Sequence, residues 1–511
     1  MDRKPAVAFY PNILNMICCR KEQEGENMGV LSGLEPKEFF HYFEEISNIP
    51  RGSYHEEAIS NHLKAFAEER GCTVFQDPYY NLLIKVPASE GYENAAPVLF
   101  HGHMDMVLDK EPGVEKDMLK EGVDLYIDGD YIKAKGTTLG ADNGVGVAFM
   151  MCIIDDKTLP HPPIECCISV QEEVGKKGGT VFDPTNVTGK RLMDFNWHKP
   201  DTIFAGCAGD ISAYFRIPAE YEKPAEKDQF FLLSISGGLG GHSEFDINLE
   251  RVNALQQFGR LVNWLADENH VRLSDPKGGV NRYVIPGSMD NIIAVPKNEV
   301  EAVRKIVTNF AEMLSKEYKL ADPDIQVTMQ EADPVEKVLT LDVTKKIAKA
   351  LHLLPCGVQS MSLEIPGLVE SSNTLAMMDT EDGKVWILMT IPSAVTSRRY
   401  DILQKVRDLA SLMGASVDTF ADCPEWPYRP DSQLLATAKK AFADKFGYEP
   451  GVEVSHSSLE LGLFCAKIPG LECISLGPKA YDVHTPKERL DWTTVQMVWD
   501  HIREILKDLK D

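Results

Sequence analysis

Several features are missing from this 511-residue chain, and each absence removes a class of protein. No apolar run approaches the ~20 residues that a membrane-spanning helix needs, so no membrane partner is expected. The 11 cysteines include no Cys-x-x-Cys pair and share no spacing apart from two adjacent pairs, Cys18-Cys19 and Cys166-Cys167. An odd, scattered total in a large chain fits a reducing compartment better than a disulfide framework. Basic residues are in deficit, 53 against 78 acidic ones. The resulting formal charge of −25 argues against nucleic acid, whose binding relies on clustered Lys and Arg. There is no short-period repeat and no low-complexity tract. The opening stretch does not read as a secretory leader, because Pro11, Asn12 and Asn15 interrupt it and no small-residue cleavage site follows. A cytoplasmic protein is expected. What remains is an ordinary globular composition, 43% apolar and 26% charged, with length for two or three domains. The surplus of acid leaves carboxylates available as cation ligands.

Apolar residues recur at helical spacing from Glu35 to Arg70 (Phe39, Phe40, Tyr42, Phe43, Ile46, then Ile59, Leu63, Phe66), which predicts two helices around a turn at Pro50–Ser53. Cys72–Phe75, Asn81–Val86 and Val98–His101 read as strands. Gly140–Ile154 reads as a helix with Asp142 or Asn143 as its cap, and Ile164–Val170 and Leu192–Phe195 as further strands. This alternation predicts an α/β fold with a mainly parallel sheet. After Gly206–Asp210 the pattern changes. Ser212–Ile217 and Gln229–Ser236 read as paired strands, Asn248–Ala266 and Arg399–Leu412 as helices, and Ala415–Phe420 as a strand. The three prolines within Asp422–Pro430 read as a second crossing between domains, after which Ser432–Phe446 (helix) and Cys473–Leu476 (strand) return to the first sheet. The expected organisation is an N-terminal extension with little folded structure over 1–29, a catalytic domain from 30–210 and 426–511, and an inserted domain over 211–425.

His101-Gly-His-Met-Asp105 follows the apolar run Pro97–Phe100 and sets three potential ligands at a spacing of two, on one face of a strand. Other candidates share its location. Glu172 and Glu173 follow the strand at Ile164, Asp194 sits at the end of Leu192–Phe195, Asp142 opens a helix, and His484 follows Cys473–Leu476. In parallel α/β sheets, ligands bind at the carboxyl ends of strands. Several acids and two imidazoles gathered there would be costly to desolvate without a cation between them. The mixed donor set suits zinc, manganese or cobalt better than magnesium or calcium, and is large enough for two metals bridged by a carboxylate. Adjacent Glu172 and Glu173 cannot both face one metal from a regular strand, so one can ligate while the other handles a proton. Singly, each piece has a plainer reading: a surface pair for His-x-Asp, a solvated loop for Glu-Glu, a helix cap for Asp142, a loop residue for His484. Their order and placement together are the stronger signal. The glycine-rich Gly140–Gly146 follows a polar stretch and not a buried strand, which disfavours a dinucleotide-binding turn.

The segments HGHMDMV, GTTLGADNGVGVA, QEEVGKKGG, Leu192-Met-Asp194, GCAGD (206–210), GGLGGHS (237–243), GSMDNIIAVP (287–296), VESSNTLA (369–376) and GPKAYDVHTPKERL (477–490) together resemble the PepD-type aminoacyl-histidine dipeptidases. These are cytosolic Xaa-His dipeptidases of the dinuclear zinc peptidase superfamily, and the resemblance runs in order from about Leu34 to the C-terminus. It implies a zinc-peptidase catalytic domain of α/β type with an inserted α+β lid domain. It implies His103, Glu173, Asp194 and His484 as metal ligands with Asp142 bridging, Asp105 orienting His103, and Glu172 as general base. His242 would reach in from the lid to stabilise the oxyanion, while Arg398 or Arg399, Asn291 and Glu460 would contact substrate. A homodimer is implied too. His101, two residues deeper along the strand than His103, reads as a packed or hydrogen-bonded core histidine.

Four departures from the family pattern bear on specificity. Glu244-Phe245 replaces two glycines after His242-Ser243, and Asp194-Phe-Asn-Trp-His198 replaces an acidic run. Pro392 stands where an Arg is usual, and Ser455–Gly462 is altered. The expected activity is metal-dependent hydrolysis of dipeptides, ending in histidine or of broad specificity. The alternatives are a related amide hydrolase (aminoacylase, deacetylase or carboxypeptidase) and a non-catalytic peptide-binding homologue.

Overall fold

A computed structural model describes residues 29–510, so all but the last residue of the expected N-terminal extension lies outside the described residues. Among the described residues no helix is long and apolar enough to cross a membrane.

Two helices, α1 (Lys37–Ser47) and α2 (Glu57–Glu69), come first among the described residues. Phe39, Phe40, Phe43 and Ile46 form the buried face of α1, at the spacing that the sequence predicts. The strands β1 (Thr73–Gln76), β2 (Leu82–Val86) and β3 (Val98–His103) follow, then α3 (Ala141–Asp155), β4 (Ile164–Ser169), β5 (Arg191–Asp194) and the 17-residue β6 (Thr202–Pro218). A second group comprises β7 (Asp228–Ser236), α4 (Ala254–Asn269), β8 (Met289–Pro296), α5 (Val300–Glu317), β9 (Gln326–Glu331), α6 (Leu341–Leu353), β10 (Gly357–Met361), β11 (Val369–Glu381), β12 (Lys384–Ser393), α7 (Thr396–Met413) and β13 (Ser416–Cys423). The chain closes with α8 (Gln433–Phe446), β14 (Gly451–Ser458), α9 (Leu461–Lys467), β15 (Glu472–Ser475) and α10 (Val495–Asp508).

The large sheet is mixed, in the order β1-β2-β4-β3-β5-β15-β6-β12-β11-β10, with β13 and β14 also paired to β6. Its parallel pairings are the run β4-β3-β5-β15 and, farther along, β6 with β14. There β3 and β4 are buried at every position, as the near-continuous apolar runs of parallel strands require. The ends of these four strands lie side by side: His101 pairs with Asp194, His103 with Ser169, and Ser475 with Asp194. Behind them α3 is buried almost throughout, with Phe149 against Phe39 (4.6 Å between ring centroids) and stacked on Trp499 of α10 (5.9 Å). Burying one such ring contributes about 1.5–3 kcal/mol.

Apolar packing falls into two main clusters. One joins residues 31–205 with 434–509, and the other is built wholly from residues 211–410. Strand β6 passes between them. Its residues 202–208 pair in parallel with β14, and its residues 209–218 pair antiparallel with β12. The sequence reading paired Ser212–Ile217 with Gln229–Ser236, and the structure corrects this: β7 belongs to a separate four-stranded sheet with β8, β9 and Arg272–Leu273. Alternation alone identified both strands but not their partners. The predicted helix at Asn248 starts later, at Ala254, where the Asn253 side chain accepts the N–H of Gln256.

Candidate active site

Strand β3 carries His103 to the end of the sheet, and its Nε2 lies 2.9 Å from Asp142 Oδ1. Glu173 arrives from the loop after β4, and the ligand atoms of His103, Asp142 and Glu173 all lie within 4.8 Å of one another. His484 closes the group, its Nε2 being 3.3 Å from Asp142 Oδ2 and 3.0 Å from Glu173 Oε2.

Asp142 is not the helix cap that the sequence suggests. It and Asn143 have non-helical backbone angles inside the assigned α3 span, and Gly140 stands at the N-cap with φ 74°. A Cβ at Gly140 would meet Arg51 Nη2 at 2.5 Å and Met106 Sδ at 2.7 Å, so only glycine fits the turn. The orphan N–H groups of this turn are satisfied by Glu488 instead. Its Oε2 accepts Leu139 (2.8 Å) and Gly140 (2.9 Å), and its Oε1 accepts Ala141 (2.8 Å) and Asp142 (3.4 Å). This frees the Asp142 carboxylate to face the two imidazoles. Beneath the turn, the buried Arg51 guanidinium donates to Gly140 O and to Met104 O, the latter at 3.1 Å.

Burial works against charge at every one of these groups, and their mutual contacts overturn it at His103, Asp142 and His484 but not at Glu173. His103 is held well above the ordinary histidine value because hydrogen bonds to Asp105 and Asp142 outweigh its desolvation. Asp142 is held far below the carboxylate range against its own burial, by His103 and His484. His484 is pushed up to about 10 by its hydrogen bonds to Asp142 and Glu173. Glu173 is raised by burial, and its Oε1 is enclosed with no partner. A buried carboxylate oxygen without a donor, beside two imidazoles and a second acid, fits a divalent metal.

Asp105 sits directly behind this group and is fully buried. Its Oδ1 accepts the backbone N–H of Glu172 (3.1 Å) and its Oδ2 that of Glu173 (3.3 Å), while Ser53 Oγ donates at 2.8 Å. His103 Nδ1 lies 3.2 Å from Asp105 O and 3.4 Å from its Oδ1, which fixes the ring with Nε2 outward. Glu172 is pushed up to about 8, chiefly by burial, with His103 opposing.

Deeper in the sheet, His101 bridges two acids, with Nδ1 at 2.8 Å from Asp194 Oδ1 and Nε2 at 3.1 Å from Glu460 Oε2. Despite burial, these two carboxylates raise it to about 9, so both its nitrogens donate.

Glu172 and Glu173 open onto a cavity of about 650 Å³. Its lining also includes Lys176, Asp210, His242, Glu244, Arg282 and Tyr283. His242 faces this space with a defined tautomer. Its Nδ1 accepts the backbone N–H groups of Glu244 (3.2 Å) and Phe245 (3.4 Å), and burial keeps the ring below its ordinary value. The neutral ring therefore carries its proton on Nε2. Tyr283 stacks on it at 5.9 Å and 6° between planes.

Sequence comparison supplies the lineage of this arrangement. The model of peptidase family M20/M25/M40 matches residues 99–508. The chain belongs to that family. It is 29% identical over 482 residues to the cytosol non-specific dipeptidase of Escherichia coli, a match covering 94% of this chain and 99% of the relative. It is 31% identical to the aminoacylhistidine dipeptidase of Vibrio alginolyticus, whose crystal structure superposes with a TM-score of 0.87 over 93% of this chain and 97% of that one. Aminopeptidase PepT from Bacillus cereus, at 16% identity and a TM-score of 0.59 over 94% of this chain and all of that one, shares the fold.

Not every residue expected at the site is there. Asp194 is turned into the sheet, where Oδ1 meets His101 while Oδ2 accepts Ser475 Oγ and the Asn196 N–H, and it is not among the three mutually close donors. Glu460 begins α9 and is consumed by Ser169 Oγ (2.6 Å), His101 and the Gly179 N–H (2.7 Å). Asn291 lies on β8, accepts the Ser274 N–H at 3.1 Å and lines a different cavity. Arg398 pairs with Glu370 at 2.8 Å, and the buried Arg399 with Glu425 (3.3 Å) and Asp422 (3.4 Å), so neither guanidinium opens onto the cavity. The cations that do are Arg282 and Lys176. Lys176 stood within the motif QEEVGKKGG, whereas Arg282 had no sequence signal. His198 also comes near this candidate cluster, where the charges of Asp142 and His484 act on it.

Proposed function

We propose that this protein is a cytosolic metal-dependent dipeptidase, and the observation that carries the reading is Glu172. It is an unligated carboxyl held beside the His103/Asp142/Glu173/His484 cluster, at the mouth of a cavity that also receives a lid histidine. Those four residues would hold a pair of divalent cations, zinc by first choice and manganese or cobalt as alternatives. Asp194 would join them if its carboxylate swings away from His101. Bound metal supplies Lewis acidity, bringing a water's acidity towards neutral pH and polarising the scissile carbonyl.

The chain's own groups do the rest. Glu172 accepts the attacking water's proton and delivers it to the leaving amine. His242 Nε2–H points a neutral donor at the carbonyl oxygen as charge develops there. The segment 211–425 acts as the lid, and its contribution of His242 and Glu244 to the cavity wall excludes water from a small substrate. The family membership and the two dipeptidase relatives support a dipeptide as the substrate.

Zinc-loaded protein offered a panel of dipeptides and N-acyl amino acids tests the reading. Dipeptide hydrolysis is expected, lost in Glu172→Gln with metal content retained. Preference for acyl substrates would assign a related amide hydrolase, and metal loss in the variant would mean that Glu172 and Glu173 have exchanged roles.

A further inference from the structure

Beyond the acids that face the metal cluster, the cavity holds a second acidic pair. Glu244, on the turn after His242, is 5% exposed, lines the cavity, and has an Oε1 that is enclosed without a hydrogen-bond partner. Burial pushes its carboxyl up to about 8, and Asp210 is the charge that adds most to the rise. Asp210 is buried on β6 opposite Pro392 of β12, where its Oδ2 lies 3.5 Å from Tyr283 Oη.

The cations of the cavity do not complete Glu244. Lys176 Nζ donates to Ser458 O (2.7 Å) and Ser458 Oγ (2.9 Å). Arg282 donates to Ser212 Oγ (3.3 Å) and to Tyr283 Oη, and its guanidinium lies 4.3 Å from the Tyr283 ring centroid. Asp422, a further acid on the wall, is taken by Arg399 and Tyr400. The Ser458 backbone already gives Glu244 one hydrogen bond, so the unmet demand is at Oε1, whose further donor would have to enter from the cavity side. With Asp210 beside it, a charged donor is favoured over a neutral one.

Resting on the dipeptidase reading above, we propose that Glu244, with Asp210 behind it, determines specificity by selecting dipeptides that carry a cationic side chain, lysyl, ornithyl or arginyl, whose ammonium or guanidinium binds at Glu244 Oε1. An entering cation also leaves Glu244 ionised, turning a buried acid into half of a charge-assisted hydrogen bond. Arg282 and the remaining N–H of Lys176 are on the same cavity and suit the substrate's carboxylate. A dipeptide with one basic side chain thus meets both signs.

The test compares Ala-Lys and Lys-Ala with Ala-norleucine and norleucine-Ala, which lack only the ammonium, on zinc-loaded wild type, Glu244→Gln and Glu244→Asp. In one of the two orders the lysyl substrate is expected to exceed its norleucyl partner in kcat/KM by about tenfold or more, a ratio that collapses in Glu244→Gln and is partly kept in Glu244→Asp. A wild-type ratio near one, or a ratio that survives Glu244→Gln, overturns the assignment. Glu244→Asp carries the comparison if the Gln variant fails to fold. Calorimetric binding of the same four dipeptides to Glu172→Gln and to Glu172→Gln/Glu244→Gln reads the ratio without turnover. Absence of hydrolysis would thereby count against the dipeptidase reading, while the binding ratio still decides the subsite.

Discussion

The carboxylate of Asp105 holds the backbone of Glu172, accepting its N–H at 3.1 Å, and through its other oxygen it holds Glu173 as well. One buried acid thus sets the spacing between the proposed general base and a proposed metal ligand while also fixing His103. Asp105→Asn turns an amide N–H₂ toward these donors. The expected outcome is a loss of about 10–100-fold in metal affinity or kcat, measured by metal titration and steady-state kinetics. Unchanged values would show that the Glu172–Glu173 turn is held by something else.

Glu488 gathers four backbone N–H groups of the turn that presents Asp142. Glu488→Ala leaves these donors buried and unpaired, at about 1–3 kcal/mol for each one that water does not reach. A lower unfolding midpoint together with weaker metal retention is expected. Destabilisation with metal affinity intact would separate the turn from the site.

For His242, the tautomer fixed by the Glu244 and Phe245 amides predicts a donor role and no metal role. His242→Ala should lower kcat by roughly 10²–10³-fold with KM changed far less and metal stoichiometry unchanged. A loss confined to KM would make it a ground-state contact.

Chelation offers a test without substitution. Metal removal should abolish turnover while leaving the fold, because protonated His103 and His484 can neutralise Asp142 and Glu173 in the metal-free protein. Far-UV circular dichroism should stay unchanged, and the unfolding midpoint should rise on adding metal back. Wholesale unfolding by chelator would refute this account of the metal-free cluster.

Stability should fall in mild acid for a reason remote from the active site. His501 is buried on α10 with Nε2 2.8 Å from Ala438 O, and burial lowers it to about 4 from 6.5. Above pH 6.5 the ring is neutral in both folded and unfolded chains, and its contribution is complete. Between 6.5 and 4 the unfolded chain binds a proton that the folded one refuses, so stability declines as pH falls, by roughly 3 kcal/mol for such a ring. Thermal unfolding across this window should be less pH-dependent in His501→Gln than in wild type. His456, also lowered to about 4, acts in the same direction.

The gathering of these acids and imidazoles was legible because they sit at strand ends or beside one, and strand periodicity with parallel order brings such ends together. His103, Glu173 and His484 met in space for that reason. Asp142 was placed correctly but given the wrong local task, because the residue that satisfies its turn, Glu488, is more than 340 residues away. The two arginines expected to contact substrate are placed by long-range partners. Arg398 and Arg399 occupy the first turn of α7, where side-chain direction depends on what the helix packs against, and their partners Glu370, Asp422 and Glu425 come from other segments. Asp194 shows a third limit. The register that pairs it with His101 follows from the sheet, yet nothing local to either residue says that they bond to each other.

The continuity of β6 has a consequence for how this architecture can be taken apart. The segment expected to be an insertion leaves the first part of the sheet in mid-strand: at Ala208 the ladder is still that of β14, and at Gly209 it is already that of β12. Grafting the segment onto another host, or excising it, therefore severs a ladder and bares a sheet edge on each fragment. Recombination at residue 210 should yield aggregating pieces, whereas cuts in loops outside the strand should be tolerated. The two halves share a spine, and in that sense the insertion is not a removable part.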